Sequence, residues 1–286
     1  MILVTGAAGK TGKAVIRALV SKRQQMRALV HRKEQAELVQ SLGAKEVVVG
    51  DMQSSNTIAE ATRGVSAIYH ICSNMNPAEV QIGRAMISAS KSAKVNHFVF
   101  HSVLHPQAET MPHHWNKMRV EEALLESQLS YTILQPASYM QNILANWRDV
   151  VERGVYSVPY SLEARMSMVD LDDVAEAAAK VLSEPGHVGA TYELAGPEAL
   201  TQTQTAAVLS KQLGREVRAE RMSVENWKRR ALNSGLGPYQ IDTLIRMFEY
   251  YDRHGFWGNP RELSGLIHRP PTKFEEFVRR IKEKTA

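Results

Sequence analysis

Three glycines near the start of the chain have the spacing of a phosphate-binding turn. They are Gly6, Gly9 and Gly12 in the stretch MILVTGAAGKTGK, residues 1–13. The stretch also contains Gly-Lys-Thr, the end of a Walker A loop, whose full pattern is G-x-x-x-x-G-K-[ST]. Neither register of that pattern fits, because a valine or an alanine would stand where its first glycine is required. Three glycines between an apolar strand and a helix instead predict a dinucleotide site, with a pyrophosphate at the helix N-terminus.

The end of the second predicted strand bears on which dinucleotide binds. In an NAD site an acidic residue here accepts from the ribose 2′-hydroxyl, whereas an arginine suits the 2′-phosphate of NADP. The sequence is VHRKE, residues 30–34, with no carboxylate at the strand end itself. Arg32 and Lys33 also fall at a predicted helix start, where positive charge is unfavourable by roughly 0.3–1 kcal/mol unless an anion is near. We therefore expect NADP(H) rather than NAD(H); a solvated pair of cations beside Glu34 is the alternative.

Two further strand ends contribute polar side chains to the expected cofactor cleft. Asp51 closes the third strand, where its carboxylate could accept from an adenine amino group or could instead form a turn or a helix cap. Ser73 follows the fourth strand beside Cys72, which we expect to be a small buried thiol. The predicted cofactor-binding residues up to this point are Gly6, Ala8, Gly9, Lys10, Thr11, Gly12, His31, Arg32, Asp51, Met52 and Ser73.

Alternating strand-like and helical segments predict how these residues are held. The predicted strands are 2–5, 26–30, 46–50, 67–72, 97–102 and 131–135, and the helices between them are 10–22, 33–42, 57–62, 77–93 and 116–127. This order is typical of a Rossmann-type, doubly wound parallel α/β sheet, which binds ligands at the carboxyl ends of its strands. The alternation weakens after about residue 152.

The second half of the chain predicts a smaller, mostly helical part. Its predicted strands are 155–158, 191–195 and 216–220, and its predicted helices are 170–182, 202–213, 224–233, 241–253 and 272–284. We therefore divide the chain into an NAD(P)-binding domain, residues 1–153, and a substrate-binding part, residues 154–286. Residues 166–196 are expected to return to the first sheet.

The composition narrows the class of protein. A chain of 286 residues with 44% hydrophobic and 23% charged residues can bury a full core. Its net charge of +5 is thinly spread, and the basic runs near 228–230 and 279–284 are typical of solvated helix faces, so nucleic-acid binding is disfavoured. There is one cysteine, no apolar run near the ~20 residues of a membrane span, and no signal peptide before the first strand. A cytoplasmic protein is expected.

Three histidines at four-residue intervals, His97, His101 and His105, do not predict a metal site. On a helix this spacing would bring imidazoles together, but the segment is rich in β-forming residues. Four residues of a strand span ~13 Å, whereas zinc requires nitrogens ~2 Å from one ion. We predict no metal.

Several motifs together resemble the NmrA-like family of atypical short-chain dehydrogenase/reductases. They are the glycine turn, the basic second-strand end, Gly50-Asp51, HHWNK (113–117), LQPASYMQN (134–142) and MVDLDDVA (168–175). The resemblance covers most of residues 1–180, and TKFEEFV (272–278) is similar to the usual C-terminal helix of the family. It implies a Rossmann fold, an NAD(P) cofactor and, as in the quinone oxidoreductases and triphenylmethane reductases of this group, hydride transfer from NADPH to a flat, electron-poor small molecule.

The resemblance also implies catalytic residues, with one departure from the usual pattern. Typical short-chain dehydrogenases use Tyr-x-x-x-Lys, and no tyrosine in this chain has a lysine four positions further on. Lys117 takes the place of the lysine and His113 that of the tyrosine; a pKa near neutrality would let His113 transfer protons. The resemblance adds Lys117, Pro136 and Tyr139 to the cofactor-binding residues.

Ser102, Asp173 and a second possible function are also considered in view of this resemblance. Ser102 stands where the family lines its nicotinamide pocket, and Asp173 is expected to start a helix or pack rather than catalyse. The missing tyrosine keeps a second function open, because other NmrA-like proteins bind NAD(P) without turnover and signal redox state to a protein partner such as a transcription factor. We expect the reductase, whose partner is a small-molecule electron acceptor.

Overall fold

Six of the predicted strands form one parallel sheet. They are β1 (Ile2–Val4), β2 (Met26–Val30), β3 (Glu46–Val49), β4 (Ala67–His70), β5 (His97–His101) and β6 (Tyr131–Pro136). The order across the sheet is β3-β2-β1-β4-β5-β6, and the pairs are parallel. The order reverses between β1 and β4, and a ligand of such a sheet binds beyond the carboxyl ends of the strands at this switch point. The computed structural model describes residues 1–73 and 75–285.

Helices cover the sheet on both faces, as the doubly wound prediction requires. Those between the six strands are α1 (Lys10–Ser21), α2 (Glu34–Ser41), α3 (Ser55–Thr62), α4 (Glu79–Ser92) and α5 (Pro112–Leu125). Every residue of β1 and β4 is buried, which is typical of strands with helices on each side. One core cluster joins Leu3, Phe98 and Phe100 of the sheet to Met86 of α4 and Val120 of α5. The Rossmann-type fold is confirmed.

The start of α5 was predicted wrongly. The sequence predicts a helix from residue 116, whereas α5 begins at Pro112. Proline is favoured in the first turn of a helix because that turn needs no hydrogen bond from its N–H. The earlier start places His113 within the helix, four residues before Lys117.

The chain divides into two compact units that do not follow the linear order of the sequence. One unit contains residues 1–109, 113–135 and 174–192; the other contains residues 110–112, 136–173 and the chain from 193 onward. Helix α6 (Leu171–Ser183) begins within the segment 136–173 and strand β8 (Ala190–Leu194) follows it; β8 lies beside β6 in the sheet. The division at residue 153 into separate domains stays a prediction.

The second unit is mostly helical, with one small sheet. Its elements are β7 (Val155–Val158), α7 (Gln202–Leu213), β9 (Arg218–Arg221), α8 (Val224–Asn233), α9 (Pro238–His254), α10 (Arg261–Ile267) and α11 (Phe274–Thr285). Strands β7 and β9 pair in parallel. The predicted bounds of α7 and α8 are correct because both have clear start signals: Thr201 and Gln204 form a capping box, and Ser223 accepts from the N–H of Asn226. The sequence missed α10, a 3₁₀ helix at Met140–Asn146 and a π-helical turn at Asp149–Arg153.

Within the described residues, no helix combines the length and the apolar character needed to cross a membrane.

Asp173 fastens the segment before α11 to the start of α6. Its carboxylate is 1% exposed and accepts from the guanidinium of Arg269 at 2.6 Å, the backbone N–H of Thr272 at 2.6 Å and the Thr272 hydroxyl at 3.0 Å. The expected packing role is therefore correct, since all three donors belong to the C-terminal segment.

We predict that Asp173→Ala lowers the free energy of unfolding by about 1–3 kcal/mol, because it removes a buried carboxylate that accepts from the partly buried N–H of Thr272 and from the guanidinium of Arg269. Asp172→Ala is the matched control: this neighbour is 60% exposed, 3.5 Å from Arg280, and exposed pairs contribute less than about 1 kcal/mol. Urea denaturation of both variants measures the difference. Equal losses would contradict the anchoring role.

Candidate functional site

The turn between β1 and α1 has no room for side chains at two of its glycines. Gly6 has a φ of 54°, and a Cβ on it would lie 2.9 Å from Cγ2 of Ile71. A Cβ on Gly12 would lie 2.4 Å from the carbonyl oxygen of Gly6. Gly9 is less restricted, with 3.2 Å to the same oxygen. Helix α1 therefore starts in direct contact with the turn after β1. This close approach requires glycine at position 6 in the turn and at position 12 in the helix.

The N-terminus of α1 has the features of an anion site. Gly9 is its N-cap and provides no side-chain cap, and the first turn contains no acidic residue. The amide groups of a first turn lack partners within their own helix, and the helix dipole favours negative charge there. Lys10 is exposed at this end, Ala8 is half-buried and Thr11 is buried. This cradle fits the pyrophosphate of a dinucleotide.

The end of β2 presents two exposed cations. Arg32 and Lys33 lie between the strand and α2, and the Gln35 side chain accepts from the backbone N–H groups of His31 and Arg32 at 3.1 and 3.0 Å. Glu34 and its helix neighbour Glu37 lie in the first turn of α2. They offset the unfavourable placement of the cations at a helix start, so the dipole argument for a bound anion is weaker than the sequence predicted. The exposed guanidinium of Arg32 at the strand end still favours a phosphate.

The side chains at the ends of β3 and β4 are already engaged in turns. Asp51 Oδ1 accepts from the backbone N–H of Gln53 at 2.9 Å, which is the turn alternative, and an adenine contact stays a prediction. Met52 packs against the main core cluster. The hydroxyl of Ser73 accepts from Asn76 at 3.0 Å. Burial raises the pKa of the Cys72 thiol to about 12, so this cysteine is no thiolate nucleophile at neutral pH.

Lys117 is held by two groups of the protein. Its ammonium donates to Oε1 of Glu79 at 2.6 Å and to the carbonyl oxygen of His101 at 3.2 Å, and it lies 5.5 Å from the ring centre of Phe100. The Glu79 side chain is 2% exposed and that of Lys117 14%. An ammonium has three N–H donors. Two are engaged by the described residues, which leave the third to a ligand.

Sequence reasoning missed Glu79. It is the first residue of α4, and a carboxylate in the first turn of a helix is favoured by the dipole whether or not it has a partner. Only the contact with Lys117, 38 positions away, reveals its role. No local pattern could have identified it.

His113 is uncharged at neutral pH, which corrects the basis on which it was chosen. Burial, reinforced by the charge of Lys117, lowers the pKa of His113 to about 4. The side chain is 6% exposed, and its Nδ1 is a buried nitrogen without a hydrogen-bond partner among the described residues. The expected pKa near neutrality was wrong because the sequence did not reveal this burial. A neutral imidazole can still form a hydrogen bond with a ligand.

One face of α5 bears His113, Lys117 and Glu121 at four-residue intervals. The Ser102 hydroxyl donates a short hydrogen bond to Glu121, and the Gln135 amide lies 3.0 Å from both oxygens of that carboxylate. Burial raises the pKa of Glu121. The Ser102 hydroxyl therefore donates to Glu121, and this contact gives no support to the expectation that Ser102 lines a nicotinamide pocket.

The remaining predicted residues have structural contacts of their own. Pro136 ends β6 and is buried, and Tyr139 forms a parallel bridge with Val169 in the second unit. Of the three histidines, His97 contacts the hydroxyl of Thr132 at 2.8 Å and His101 that of Tyr69 at 2.5 Å. In the described part of the chain, no three His, Cys, Asp or Glu side chains are grouped to hold a metal ion.

The fold and the glycine turn define the class: a dinucleotide-binding α/β protein of the Rossmann type. A family model described as the NmrA-like family matches residues 1–278. The chain therefore belongs to the NmrA-like family, and the resemblance seen in its motifs is confirmed.

Characterised relatives align with nearly the whole chain. An NAD(P)H azoreductase of Xenophilus azovorans is 29% identical over 284 residues, 98% of this chain and 97% of that protein. Quinone oxidoreductase 2 of Escherichia coli is 31% identical over 282 residues, 97% of each.

Two solved structures share the fold. The E. coli NADPH-dependent quinone oxidoreductase complexed with NADPH matches with a TM-score of 0.86 and 30% identity, covering 99% of this chain and 100% of that one. The Citrobacter sp. triphenylmethane reductase complexed with NADP(H) matches with a TM-score of 0.85 and 25% identity, covering 98% and 99%.

The buried histidines predict loss of stability in acid. Burial, and secondarily the charge of Lys117, lowers the pKa of His70 to about 3 from 6.5. Between these values the unfolded chain binds the proton and the folded chain does not, so stability is lost as the pH falls below about 6.5.

We therefore predict that His70→Phe reduces the loss of unfolding free energy between pH 7.5 and pH 5 by about 2 kcal/mol relative to the wild type. The phenyl ring keeps the stacking on Phe100, and Thr5 keeps its hydrogen bonds to the backbone of Ile71. Urea denaturation at both pH values measures the effect. Parallel pH dependences in the two proteins would contradict it.

Proposed function

We propose that this protein is an NADPH-dependent reductase that transfers hydride to a flat, electron-poor small molecule such as a quinone. The observation that carries the proposal is the glycine turn, which has no space for side chains at Gly6 and Gly12 and lies at the uncapped N-terminus of α1. The proposal is supported by the similarity to an NAD(P)H azoreductase and a quinone oxidoreductase, and to solved structures of relatives complexed with NADPH or NADP(H).

The cofactor is NADP(H), and the chain offers a group for each part of it. In our proposal the glycine turn and the amides of α1 hold the pyrophosphate, Arg32 meets the 2′-phosphate and Asp51 faces the adenine. The remaining N–H of Lys117 is assigned to the nicotinamide ribose, and Pro136 and Tyr139 to the nicotinamide side. When bound, the reduced nicotinamide supplies the hydride, so the protein must orient two flat groups and exclude water.

The charges around Lys117 suit an acceptor that gains negative charge. Lys117 provides a positive group close to His70, His101 and His113, whose pKa values all lie far below neutrality because they are buried. The Glu79 carboxylate at 2.6 Å offsets part of this charge, and the ammonium still favours negative charge that develops on a nearby acceptor. His113 can contribute a hydrogen bond, but as an uncharged imidazole it does not deliver a proton at neutral pH. We assign the one proton that completes the reduction after hydride transfer to water.

The acceptor class rests on what the relatives have in common. Quinones, azo compounds and triphenylmethane dyes are conjugated, electron-poor molecules to which a reduced nicotinamide can supply hydride. This agrees with the replacement of the tyrosine of typical short-chain dehydrogenases by His113.

The direct test is oxidation of NADPH by the purified protein, followed at 340 nm, with a quinone, an azo dye and a triphenylmethane dye. We expect turnover with at least one of them, with NADPH preferred to NADH. Tight NADPH binding without oxidation by any acceptor would contradict the reductase and favour the redox sensor, whose partner protein would then bind in a cofactor-dependent manner.

The 2′-phosphate assignment gives a sharper prediction. Arg32→Ala should weaken NADPH binding about 10- to 100-fold, because a charge-assisted hydrogen bond contributes about 1.5–3 kcal/mol, and should leave NADH binding unchanged. Arg63→Ala is the control, since Arg63 is exposed at the C-cap of α3 and contacts Arg27 near the start of β2, whereas Arg32 follows the end of that strand. Fluorescence titration with both nucleotides measures the affinities. Equal NADPH affinity of Arg32→Ala and wild type would refute the assignment.

A further inference from the structure

Glu79 and Lys117 form a buried ion pair in the first compact unit, and Lys117 is one of the proposed functional residues. Glu79 Oε1 lies 2.6 Å from Lys117 Nζ, with 2% of the glutamate side chain exposed. Taking a carboxylate out of water is costly unless a partner compensates it. The pair therefore couples the start of α4 to the middle of α5.

The turn that leads into α4 holds Glu79 in place. The Asn76 side chain accepts from the N–H of Ala78 at 2.9 Å and donates to the Ser73 hydroxyl at 3.0 Å. The N–H of Glu79 donates to the carbonyl oxygen of Asn76 at 3.1 Å. These bonds tie Glu79 to the end of β4, the strand that pairs with β1 at the switch point of the sheet.

Glu79 is the carboxylate that neutralises Lys117. From β4 and β5 the lysine faces His70 and His101, and on its own helix it faces His113, all uncharged at neutral pH because of burial. The Glu121 carboxyl accepts from Ser102 and Gln135 instead. The thiol of Cys72 is kept protonated by burial and by the charge of Glu79.

We propose that Glu79 is the positioning residue of the site: its carboxylate, together with the carbonyl oxygen of His101, fixes the Lys117 ammonium so that its third N–H points to the bound cofactor. This inference rests on the proposed function, because it requires NADPH as the ligand. Glu79 itself touches no cofactor, and its effect passes through Lys117.

The test is a double-mutant cycle on NADPH affinity, measured by fluorescence titration without any acceptor. Glu79→Gln keeps the shape and removes the charge, so we expect about tenfold weaker binding. The same change in a Lys117→Met background should have no further effect, because the lysine through which Glu79 acts is absent. Glu122→Gln, an exposed carboxylate paired with Arg119 on α5, is the matched control and should bind NADPH as the wild type does.

Stability is measured on the same proteins by thermal unfolding. Lys117→Met alone leaves a buried unpaired carboxylate and should be the least stable, whereas Glu79→Gln with Lys117→Met should be more stable than that single variant. If Lys117→Met or Glu79→Gln does not fold, Glu79→Asp is measured instead. Its side chain is one methylene shorter, so the carboxylate holds Lys117 less closely, and we expect about threefold weaker NADPH binding.

The outcomes separate the inference from the proposed function. Wild-type affinity in Glu79→Gln, or in Glu79→Asp where that variant is used, overturns the positioning role, as does an equal loss in the presence and absence of Lys117. A wild-type protein that does not bind NADPH overturns the proposed function instead. A loss of affinity that requires Lys117 supports the inference.

Discussion

The site depends on how closely α1 approaches the turn after β1. With 2.4 Å between a Cβ at position 12 and the carbonyl oxygen of Gly6, the helix can start there only if that residue is glycine. The positive φ of Gly6 also allows this close approach, since it turns the chain beside Ile71, just after β4. The uncapped amides of α1 thus face the place where strand order reverses. A phosphate there would replace the missing side-chain cap.

Among the buried side chains around Lys117, three histidines are neutral and the charge belongs to an ion pair. Burial keeps the imidazoles of His70, His101 and His113 neutral, and each is affected by the positive charge of Lys117. The lysine is in turn held by the Glu79 carboxylate, with which it forms a buried ion pair. In our proposal, Lys117 keeps the place of the lysine of typical short-chain dehydrogenases, and the neutral ring of His113 takes that of the tyrosine. Hydride transfer to a conjugated acceptor requires little more of the protein than that.

What the sequence could predict follows from the range of the interactions. The strands, α1 and α7 follow from apolar periodicity and from glycine or capping signals within a few residues. The glycine turn is likewise local, and the resemblance to the NmrA-like family rested on short motifs of this kind. The burial of His113 and the pairing of Glu79 with Lys117 depend on packing between α4, α5 and the sheet, so they left no local signal. The same holds for Asp173, whose partners lie about 100 positions away.

The glycine turn is the central element of this account, and a single methyl group tests it. Gly12→Ala places a Cβ against the carbonyl oxygen of Gly6, whereas Gly265→Ala adds the same methyl group in α10 with no heavy atom within 4 Å. We predict that titration with NADPH shows at least about tenfold weaker binding for Gly12→Ala, from a strain of roughly 1–3 kcal/mol, and wild-type affinity for Gly265→Ala. NADPH affinity in Gly12→Ala equal to that of the wild type would contradict the assignment of this turn as the cofactor site.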